Sequence, residues 1–331
     1  MVLNSKKKVR ALGLCSGGLD SILSALVLQK QGIEVEWISF ETPFFSSDKA
    51  HKASQNTNIP LIVENITNIY LKMLKNPKCG YGKNMNPCTD CHALMFNLAG
   101  KIMKKRNFDF LFSGEVLGQR PMSQTRTSLR YVEKNSGFDG YIVRPLSIKK
   151  LPETIPEKQG LINRKSLYDF TGRSRKPQMA LAEKLGIYDY PGPGGGCLLT
   201  EQVYSIRLRD IFDYQQHCTE NDLHLLKHGR HFRISENAKA IVGRDEKDNN
   251  AMMEYYSDDY ALIKSENIPG PTVFMAGEHT RENLITAGEI CAGYIKKSDN
   301  PEYLVNITTA EGSEIVRVEP ALPDYTQKFM I

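Results

Sequence analysis

The sequence lacks the features that mark membrane, secreted and fibrous proteins. No apolar run approaches the roughly 20 residues that a membrane-spanning helix requires, and no internal repeat or low-complexity tract is present. Only seven cysteines occur in 331 residues, an odd number that argues against a disulfide framework and favours reduced thiols in a cytoplasmic protein. Residues 1–15 contain a basic segment followed by a short apolar segment, as a signal peptide does, but SGGLDS ends the apolar segment too early. We therefore do not interpret 1–15 as a signal peptide. We expect a globular chain without a membrane partner.

Length and charge distribution indicate two domains of different character. A single hydrophobic core rarely serves a chain of 331 residues. Residues 1–215 hold 31 Lys and Arg against 19 Asp and Glu, whereas residues 216–331 hold 12 against 19. We therefore predict a first domain at 1–215, which would face any polyanionic partner, and a second, smaller domain at 216–331.

A strand, a glycine-rich turn, a helix and a second strand follow one another near the start of the chain. Residues 8–15 have the composition of a buried strand, and the turn SGGLDS follows at 16–21. Helical spacing then continues as far as Gly32, and 34–45 has the composition of a second strand. This order predicts an α/β domain built on a parallel sheet.

The turn SGGLDS has the composition of an anion-binding site. Gly17 and Gly18 allow backbone N–H groups to approach a phosphate closely, and the helix that follows directs its positive dipole end at the same place. Ser16 and Ser21 add hydroxyl donors. Asp20 would repel a phosphate, so we expect it to bind magnesium or to pair with another group of the site. The turn does not match the Walker pattern.

Directly after an N-terminal strand, this turn resembles the pyrophosphate loop (PP-loop) of the N-type ATP pyrophosphatases. The resemblance implies an adenine-nucleotide alpha-hydrolase-like fold, ATP with Mg²⁺ as cofactors, and cleavage of ATP between its α and β phosphates. It also implies that Phe40, near the end of the second strand, faces the adenine. Gly114 and Gln119 lie in a loop after the strand-like segment FDFLFSG and are expected to approach the nucleotide.

The cysteines carry a second resemblance. NPCTDC at 86–91 is similar to the Asn-Pro-Cys-x-x-Cys of the tRNA 2-thiouridine synthetases, and 113–125 and 143–146 resemble segments of the tRNA 4-thiouridine synthetases. A further cysteine, Cys197, follows a Pro/Gly-rich stretch that has no regular structure of its own. The resemblance implies a 4Fe–4S cluster held by Cys88, Cys91 and Cys197, whose fourth iron binds and delivers sulfide. Asp20, Cys88 and Cys197 are then the expected catalytic residues.

Three other interpretations of the cysteines stay open. A zinc site would need a fourth ligand, which His92 or Cys79 could supply. A redox dithiol at Cys88 and Cys91 would normally begin a helix, which the flanking residues do not indicate. A persulfide mechanism needs one cysteine to carry sulfur and another to resolve the disulfide, for example Cys88 and Cys197.

Basic residues and a further resemblance point to RNA. The segment 164–176 interleaves cations with aromatic residues, which suits phosphate contact combined with base stacking. The second half resembles the small α+β NFACT RNA-binding domain in its Val-Gly-Arg at 242–244, its Asn pair at 249–250 and its Pro-Gly at 269–270. The candidate RNA contacts are Arg164, Lys165, Arg173, Arg175, Lys176, Arg230 and Arg244.

Together these resemblances predict an ATP-dependent sulfur transferase that adenylates a tRNA uridine and replaces its carbonyl oxygen with sulfur. The expected partners are the tRNA substrate and a sulfur donor, either sulfide or a cysteine desulfurase, and a homodimer is compatible with the sequence. One alternative is a PP-loop enzyme that sulfurates a small metabolite. Another is an RNA- or ribosome-binding protein with a regulatory nucleotide site, which would bind ATP without releasing pyrophosphate.

Overall fold

The computed structural model describes residues 8–192, 196–215, 217–295 and 303–331. The chain forms two compact units, Met1–Thr200 and Glu201–Ile331. The helix Gln202–Tyr214 thus lies in the second unit, whereas the sequence prediction assigned it to the first domain. A side chain of this helix forms a hydrogen bond within the second unit: the Tyr204 hydroxyl donates to the Leu223 carbonyl at 2.9 Å.

A parallel sheet of five strands, counted over the described residues, organises the first unit. Its strands are β1 (Arg10–Leu14), β2 (Glu34–Glu41), β3 (Leu61–Asn65), β4 (Phe110–Ser113) and β5 (Ile142–Val143). They lie in the order β3-β2-β1-β4-β5. The chain therefore adds β2 and β3 on one side of β1, and then β4 and β5 on the other side. A sheet of this kind binds ligands at the carboxyl ends of β1 and β4, where the strand order reverses.

Large apolar side chains hold this sheet in the interior of the unit. Trp37 of β2 and Phe110 and Phe112 of β4 are fully buried, and burial of side chains of this size contributes about 1.5–3 kcal/mol each. The helices of the unit are α1 (Leu19–Gln29), α2 (Asp48–Thr57), α3 (Thr67–Lys75), α4 (Cys88–Lys105), α5 (Arg126–Ser136), α6 (Ile155–Lys158) and α7 (Lys176–Lys184). Short 3₁₀ turns occur at Ile148–Lys150, Arg164–Ser166 and Leu198–Thr200. The predicted α/β fold with a parallel sheet is confirmed.

The second unit is an antiparallel sheet with helices, which confirms the predicted α+β class. Its strands are β6 (Arg230–Ser235), β7 (Ala238–Val242), β8 (Ala261–Ser265), β9 (Val273–Gly277), β10 (Tyr303–Thr309) and β11 (Gly312–Val318), in the order β11-β10-β8-β9-β7-β6. Its helices are α8 (Gln202–Tyr214), α9 (Glu220–Leu225), α10 (Glu246–Met253), α11 (Arg281–Gly293) and α12 (Pro323–Gln327). Ala287, Ile290 and Cys291 of α11 share one hydrophobic core with the strands.

Over the part of the chain that the structure describes, every helix is too short or too polar to span a bilayer.

Candidate active site

The turn between β1 and α1 forms a loop whose backbone N–H groups suit an anion. Gly18 is the N-cap of α1 and has an extended backbone, with φ −81° and ψ 164°, so the first N–H groups of the helix have no helical acceptor. Ser21 donates its backbone N–H and its hydroxyl to the Gly18 carbonyl, at 3.1 and 2.7 Å. Ser16 is exposed, and its hydroxyl accepts the Gly18 N–H at 3.4 Å. The loop thus presents N–H groups and one exposed hydroxyl at the positive end of the helix.

Two glycines allow the loops after β1 and β4 to approach their neighbours. Gly17 has φ +68°, and a Cβ there would lie 2.1 Å from the Lys49 backbone carbonyl carbon. A Cβ on Gly114 would lie 2.4 Å from the Asp20 backbone carbonyl carbon. A larger residue at 114 would therefore force the loops after β1 and β4 apart, and one at 17 would force the loop after β1 away from the first residues of α2.

Asp20, Gln119 and Gln178 form a hydrogen-bonded chain beside the glycine turn. Gln119 Nε2 donates to Asp20 Oδ2 at 2.7 Å, and Gln178 Nε2 donates to Gln119 Oε1 at 2.9 Å. Asp20 Oδ1, Gln178 Oε1 and Arg175 Nε are buried atoms that find no hydrogen-bond partner among the described residues. Buried polar atoms are normally satisfied, so these three atoms indicate where a ligand would bind.

The environment of Asp20 is suited to a cation. Burial raises the pKa of Asp20, and the hydrogen bond from Gln119 and the charges of Arg175 and Arg120 oppose that rise. A magnesium ion usually takes one or two protein carboxylates, with phosphates and water as its other ligands. The unsatisfied Asp20 Oδ1 fits that role.

Phe40 lies next to the last residue of β2, and its side chain is buried. It pairs with Glu64 of β3, so it lies on the strand next to β1 and close to the carboxyl edge of the sheet. Its contact with adenine stays a prediction.

The Cys-x-x-Cys motif lies at the beginning of a long helix, which corrects the sequence interpretation of its flanks. Cys88 is the first residue of α4, an 18-residue helix whose N-cap is Pro87. Asn86 Nδ2 donates to Cys88 Sγ at 3.2 Å. Asp90 in the first turn and lysines in the last turn complement the helix dipole, and this charge pattern could have identified the helix from the sequence.

Cys88, Cys91 and Cys197 come together around Tyr70. Burial raises the pKa of Cys91 far above its ordinary value, and the neighbouring Cys197 and Cys88 raise it further, although the Tyr70 hydroxyl partly opposes this. Burial likewise raises the pKa of Tyr70, and Cys91 and Cys197 add to that effect. The predicted trio of cysteines is therefore a group of mutually interacting side chains, whose proximity disfavours the thiolate form of Cys91.

Two hydrogen bonds fix the segment that carries Cys197. The Leu198 N–H donates to the Phe44 carbonyl at 2.9 Å, and Asn84 Nδ2 donates to the Thr200 carbonyl at 2.6 Å. Phe44 follows β2 and its ring lies 5.6 Å from the Tyr70 ring. The cysteine-bearing segment is thus attached both to the loop after β2 and to the segment that precedes α4.

A buried ion network joins the cysteine helix to the loop after β4. His92 Nδ1 lies 2.8 Å from Glu115 Oε1, and Arg144 Nε donates to Glu115 Oε2 at 2.9 Å. Burial opposes ionisation of Glu115, but Arg144 and His92 outweigh it and lower its pKa to about 2. Because His92 follows Cys91 and Glu115 follows Gly114, the network connects the two parts of the site.

The three cysteines offer the type of ligand that iron–sulfur clusters use, namely cysteine sulfur. Within the described ranges, however, no three His, Cys, Asp or Glu side chains are arranged so that they could hold a metal ion. The predicted three-cysteine metal site is therefore not preformed among the described residues.

Some of the residues predicted to contact RNA already have partners within the protein, whereas others are exposed to solvent. Arg164 is held by Glu157 at 2.7 Å and by the Leu151 carbonyl at 2.8 Å, so its guanidinium has a structural role. Arg230 lies over the Tyr294 ring at 4.8 Å, and Arg244 donates to Asp248 at 2.7 Å. Three others are exposed, namely Lys165, Arg173 and Lys176, and Arg175 is partly buried beside Asp20.

Sequence reasoning missed several side chains of the site. Gln178 and Tyr70 lie within helices, and their sequence neighbours give no sign that they face Asp20 or Cys91. Glu115 could have been identified, because it lies inside the segment 113–125 that was compared with thiouridine synthetases.

Two family models match the chain. Residues 6–155 match the model described as thiamine biosynthesis protein (ThiI). This part of the chain is therefore similar to that family. Residues 229–330 match the NFACT protein RNA binding domain, so the PP-loop and NFACT resemblances are both confirmed.

Curated relatives that carry the name probable tRNA sulfurtransferase are similar to part of the chain. The relative from Mycoplasmopsis pulmonis is 31 % identical over 147 residues, which is 41 % of this chain and 36 % of that protein. The relative from Thermoanaerobacter sp. is 32 % identical over 146 residues, with the same shares of 41 % and 36 %. The matched region thus spans about a third of the length of these relatives.

Solved structures give a weaker likeness. A predicted subunit of tRNA methyltransferase from Methanocaldococcus jannaschii aligns with 53 % of this chain and 76 % of its own, at 16 % identity and a TM-score of 0.36. A TM-score this low does not establish a shared fold.

Proposed function

We propose that this protein is an ATP-dependent sulfurtransferase that acts on tRNA. One observation carries the proposal: the PP-loop and the cysteine helix are joined through two consecutive residues. Gly114 packs on the Asp20 backbone, and Glu115 binds His92, which follows Cys91. A site of this kind can activate an oxygen with ATP and supply sulfur to the same carbon.

The first half of the reaction uses the edge of the sheet around the glycine turn. ATP would bind with its phosphates at Ser16, Gly17, Gly18 and the N-terminus of α1, and with its adenine near Phe40. Asp20 would hold Mg²⁺, which supplies charge neutralisation at the phosphates when bound. The uridine carbonyl oxygen attacks the α-phosphate, which gives an adenylated base and pyrophosphate.

The second half of the reaction uses the three thiols. Sulfur attacks the adenylated carbon, a carbon–sulfur bond forms, and the carbon–oxygen bond breaks with AMP as the leaving group. A persulfide on Cys88 or Cys197 would supply the sulfur, because the three cysteines are grouped beside the loop that carries Glu115. After its outer sulfur has attacked the carbon, a second cysteine of the trio attacks the S–S bond, which frees the thionucleoside and leaves a disulfide. An external thiol reduces that disulfide, and a cysteine desulfurase reloads the persulfide; sulfide could serve as donor only to the open iron of a cluster.

Three chemical forms of the sulfur centre can be compared: a persulfide on Cys88 or Cys197, and a 4Fe–4S cluster or zinc, either of which would require the three thiols to rearrange. The spectrum of anaerobically purified protein distinguishes a cluster, which absorbs broadly in the visible range, from the other two, and metal analysis then distinguishes zinc from a persulfide. A homodimer is a separate proposal, which sedimentation of the full chain would test.

The test of the function is an anaerobic reaction of the full chain with ATP, Mg²⁺, bulk tRNA, a thiol reductant, and a cysteine desulfurase with cysteine as the sulfur donor. After digestion of the tRNA, mass spectrometry would detect a nucleoside in which one oxygen has been replaced by sulfur. Formation of that nucleoside only with ATP supports the proposal. Pyrophosphate release without tRNA would favour a small-metabolite substrate, and ATP binding without pyrophosphate release would favour a regulatory nucleotide site.

A further inference from the structure

A basic groove lies on α5 of the first unit. It is a surface depression of about 430 Å³, lined by Arg126, Thr127, Arg130, Tyr131 and Lys134. The three cations recur every four residues, so they lie along one face of the helix at intervals of about 6 Å. One helix supplies every lining residue, so the depression is shallow and lies open to solvent, where an extended ligand could lie along the helix.

The charge of this groove is only partly neutralised by the protein. Arg130 pairs with Glu133 and Asp139, and Glu133 is shared with the buried Arg144. Arg126 donates to the Lys150 carbonyl at 3.1 Å, a contact that leaves its positive charge in place. Lys149 and Lys150 are themselves exposed and extend the basic surface beyond Arg126. The surface is therefore complementary to a polyanion.

One side chain connects the groove with the cysteine helix. The Tyr131 hydroxyl donates to Asp90 Oδ1 at 3.2 Å, and Asp90 Oδ2 accepts the Cys79 N–H at 2.7 Å. Asp90 lies in the first turn of α4, between Cys88 and Cys91. A strand bound along α5 would therefore pass next to the turn that carries the two cysteines.

We propose that the α5 groove binds the sugar–phosphate backbone of the tRNA and leads the target nucleotide towards the Cys88–Cys91 turn. Lys and Arg at regular intervals suit successive phosphates, and a partly exposed tyrosine among them suits base stacking. The inference rests on the proposed function for the identity of the polyanion. It assigns the main tRNA contact of the first unit to a helix outside the predicted segment 164–176.

The test compares tRNA binding by three versions of the full chain. The groove variant is Arg126→Gln/Arg130→Gln/Lys134→Gln. A second variant, Arg126→Gln/Lys134→Gln, keeps the ion pairs of Arg130 with Glu133 and Asp139. It therefore tests the groove even if loss of those ion pairs impairs folding of the triple variant. The matched control replaces three exposed lysines on other elements: Lys30→Gln/Lys158→Gln/Lys184→Gln.

We expect the triple groove variant to bind bulk tRNA at least tenfold more weakly than wild type. The slope of log affinity against log salt should fall by about 2, since each lost contact with a single strand removes roughly 0.7. The double variant should show about two thirds of that change. The control should stay within twofold of wild type, and all versions should bind ATP equally.

Ultraviolet cross-linking adds a positional measurement. The cross-linked tRNA fragment should map to the peptide that contains Tyr131. Unchanged affinity and salt slope in both groove variants, together with cross-links elsewhere, would overturn the inference, and the groove would then be assigned to an acidic protein surface. Thiolation is measured separately, so the groove inference can fail while tRNA thiolation stands, or stand while thiolation fails.

Discussion

His92 Nδ1 and Glu115 Oε1 lie 2.8 Å apart, and this contact fastens the cysteine helix to the loop that follows β4. The same carboxylate accepts the Ser113 hydroxyl at 3.1 Å and Arg144 Nε at 2.9 Å. Glu115 and Arg144 are both almost fully buried. The relative position of the nucleotide loop and the thiols therefore depends on a charged network inside the protein.

Removal of Glu115 should be strongly destabilising. Glu115→Ala leaves the buried Arg144 guanidinium without one of its carboxylates, and loss of one partner of a buried ion pair costs about 3–5 kcal/mol. Urea unfolding would measure the loss. Lys52→Gln, which breaks an exposed ion pair with Asp189, is the control and should leave the transition midpoint close to wild type. Equal midpoints for both variants would show that the network contributes no stability.

Stability should also depend on pH through Glu115. Its pKa falls from the ordinary 4.5 to about 2 in the folded protein, so the folded state binds fewer protons than the unfolded state between these values. The stabilisation is therefore complete above about pH 4.5 and is lost as pH falls towards 2. Unfolding free energies of wild type and Glu115→Gln should converge over this range, and a constant difference would contradict the assignment.

Substitution of the two close-packed glycines should abolish nucleotide binding. Gly17→Ala and Gly114→Ala each place a Cβ within 2.4 Å of neighbouring backbone, so the loops after β1 and β4 must move. Calorimetry should detect at least a hundredfold loss of ATP affinity. The control is Gly192→Ala, where a Cβ meets nothing within 4 Å, and affinity there should not change.

Asp20→Asn should lower the rate of pyrophosphate release by about 10²–10³-fold, the range found when a single charge-stabilising group is removed from an active site. The substitution keeps the side-chain volume but removes the charge from the unsatisfied Oδ1. The variant should also need a higher magnesium concentration for half-maximal rate. A wild-type magnesium dependence would show that Asp20 does not act through the metal.

The strand–turn–helix–strand unit was predictable because its determinants are local. The apolar run before SGGLDS, the two glycines and the helix after them are neighbours in sequence, and the structure has β1, the turn, α1 and β2 in that order. Gly114 and Gln119, predicted to approach the nucleotide, follow a strand that ends at the same edge of the sheet and lie near Asp20. Their contact with the nucleotide stays a prediction.

Contacts between distant helices and loops could not be predicted from one sequence. Gln178 reaches Gln119 across 59 residues, and Arg144 reaches Glu115 across 29. Arg164 was predicted to contact RNA because it lies in a basic segment, but Glu157 of the preceding helix binds it. Composition counts charges, whereas only the fold shows which of them are already paired.

The most direct test of the account separates adenylation from sulfur transfer in one experiment. Cys197→Ala and the control Cys218→Ala would be assayed anaerobically with ATP, Mg²⁺, tRNA, a thiol reductant, and a cysteine desulfurase with cysteine as the only sulfur donor, and pyrophosphate and thionucleoside would be measured in the same tubes. We predict that Cys197→Ala releases pyrophosphate at a rate near that of wild type but forms no thionucleoside, while Cys218→Ala forms both. Full thionucleoside formation by Cys197→Ala would contradict the account.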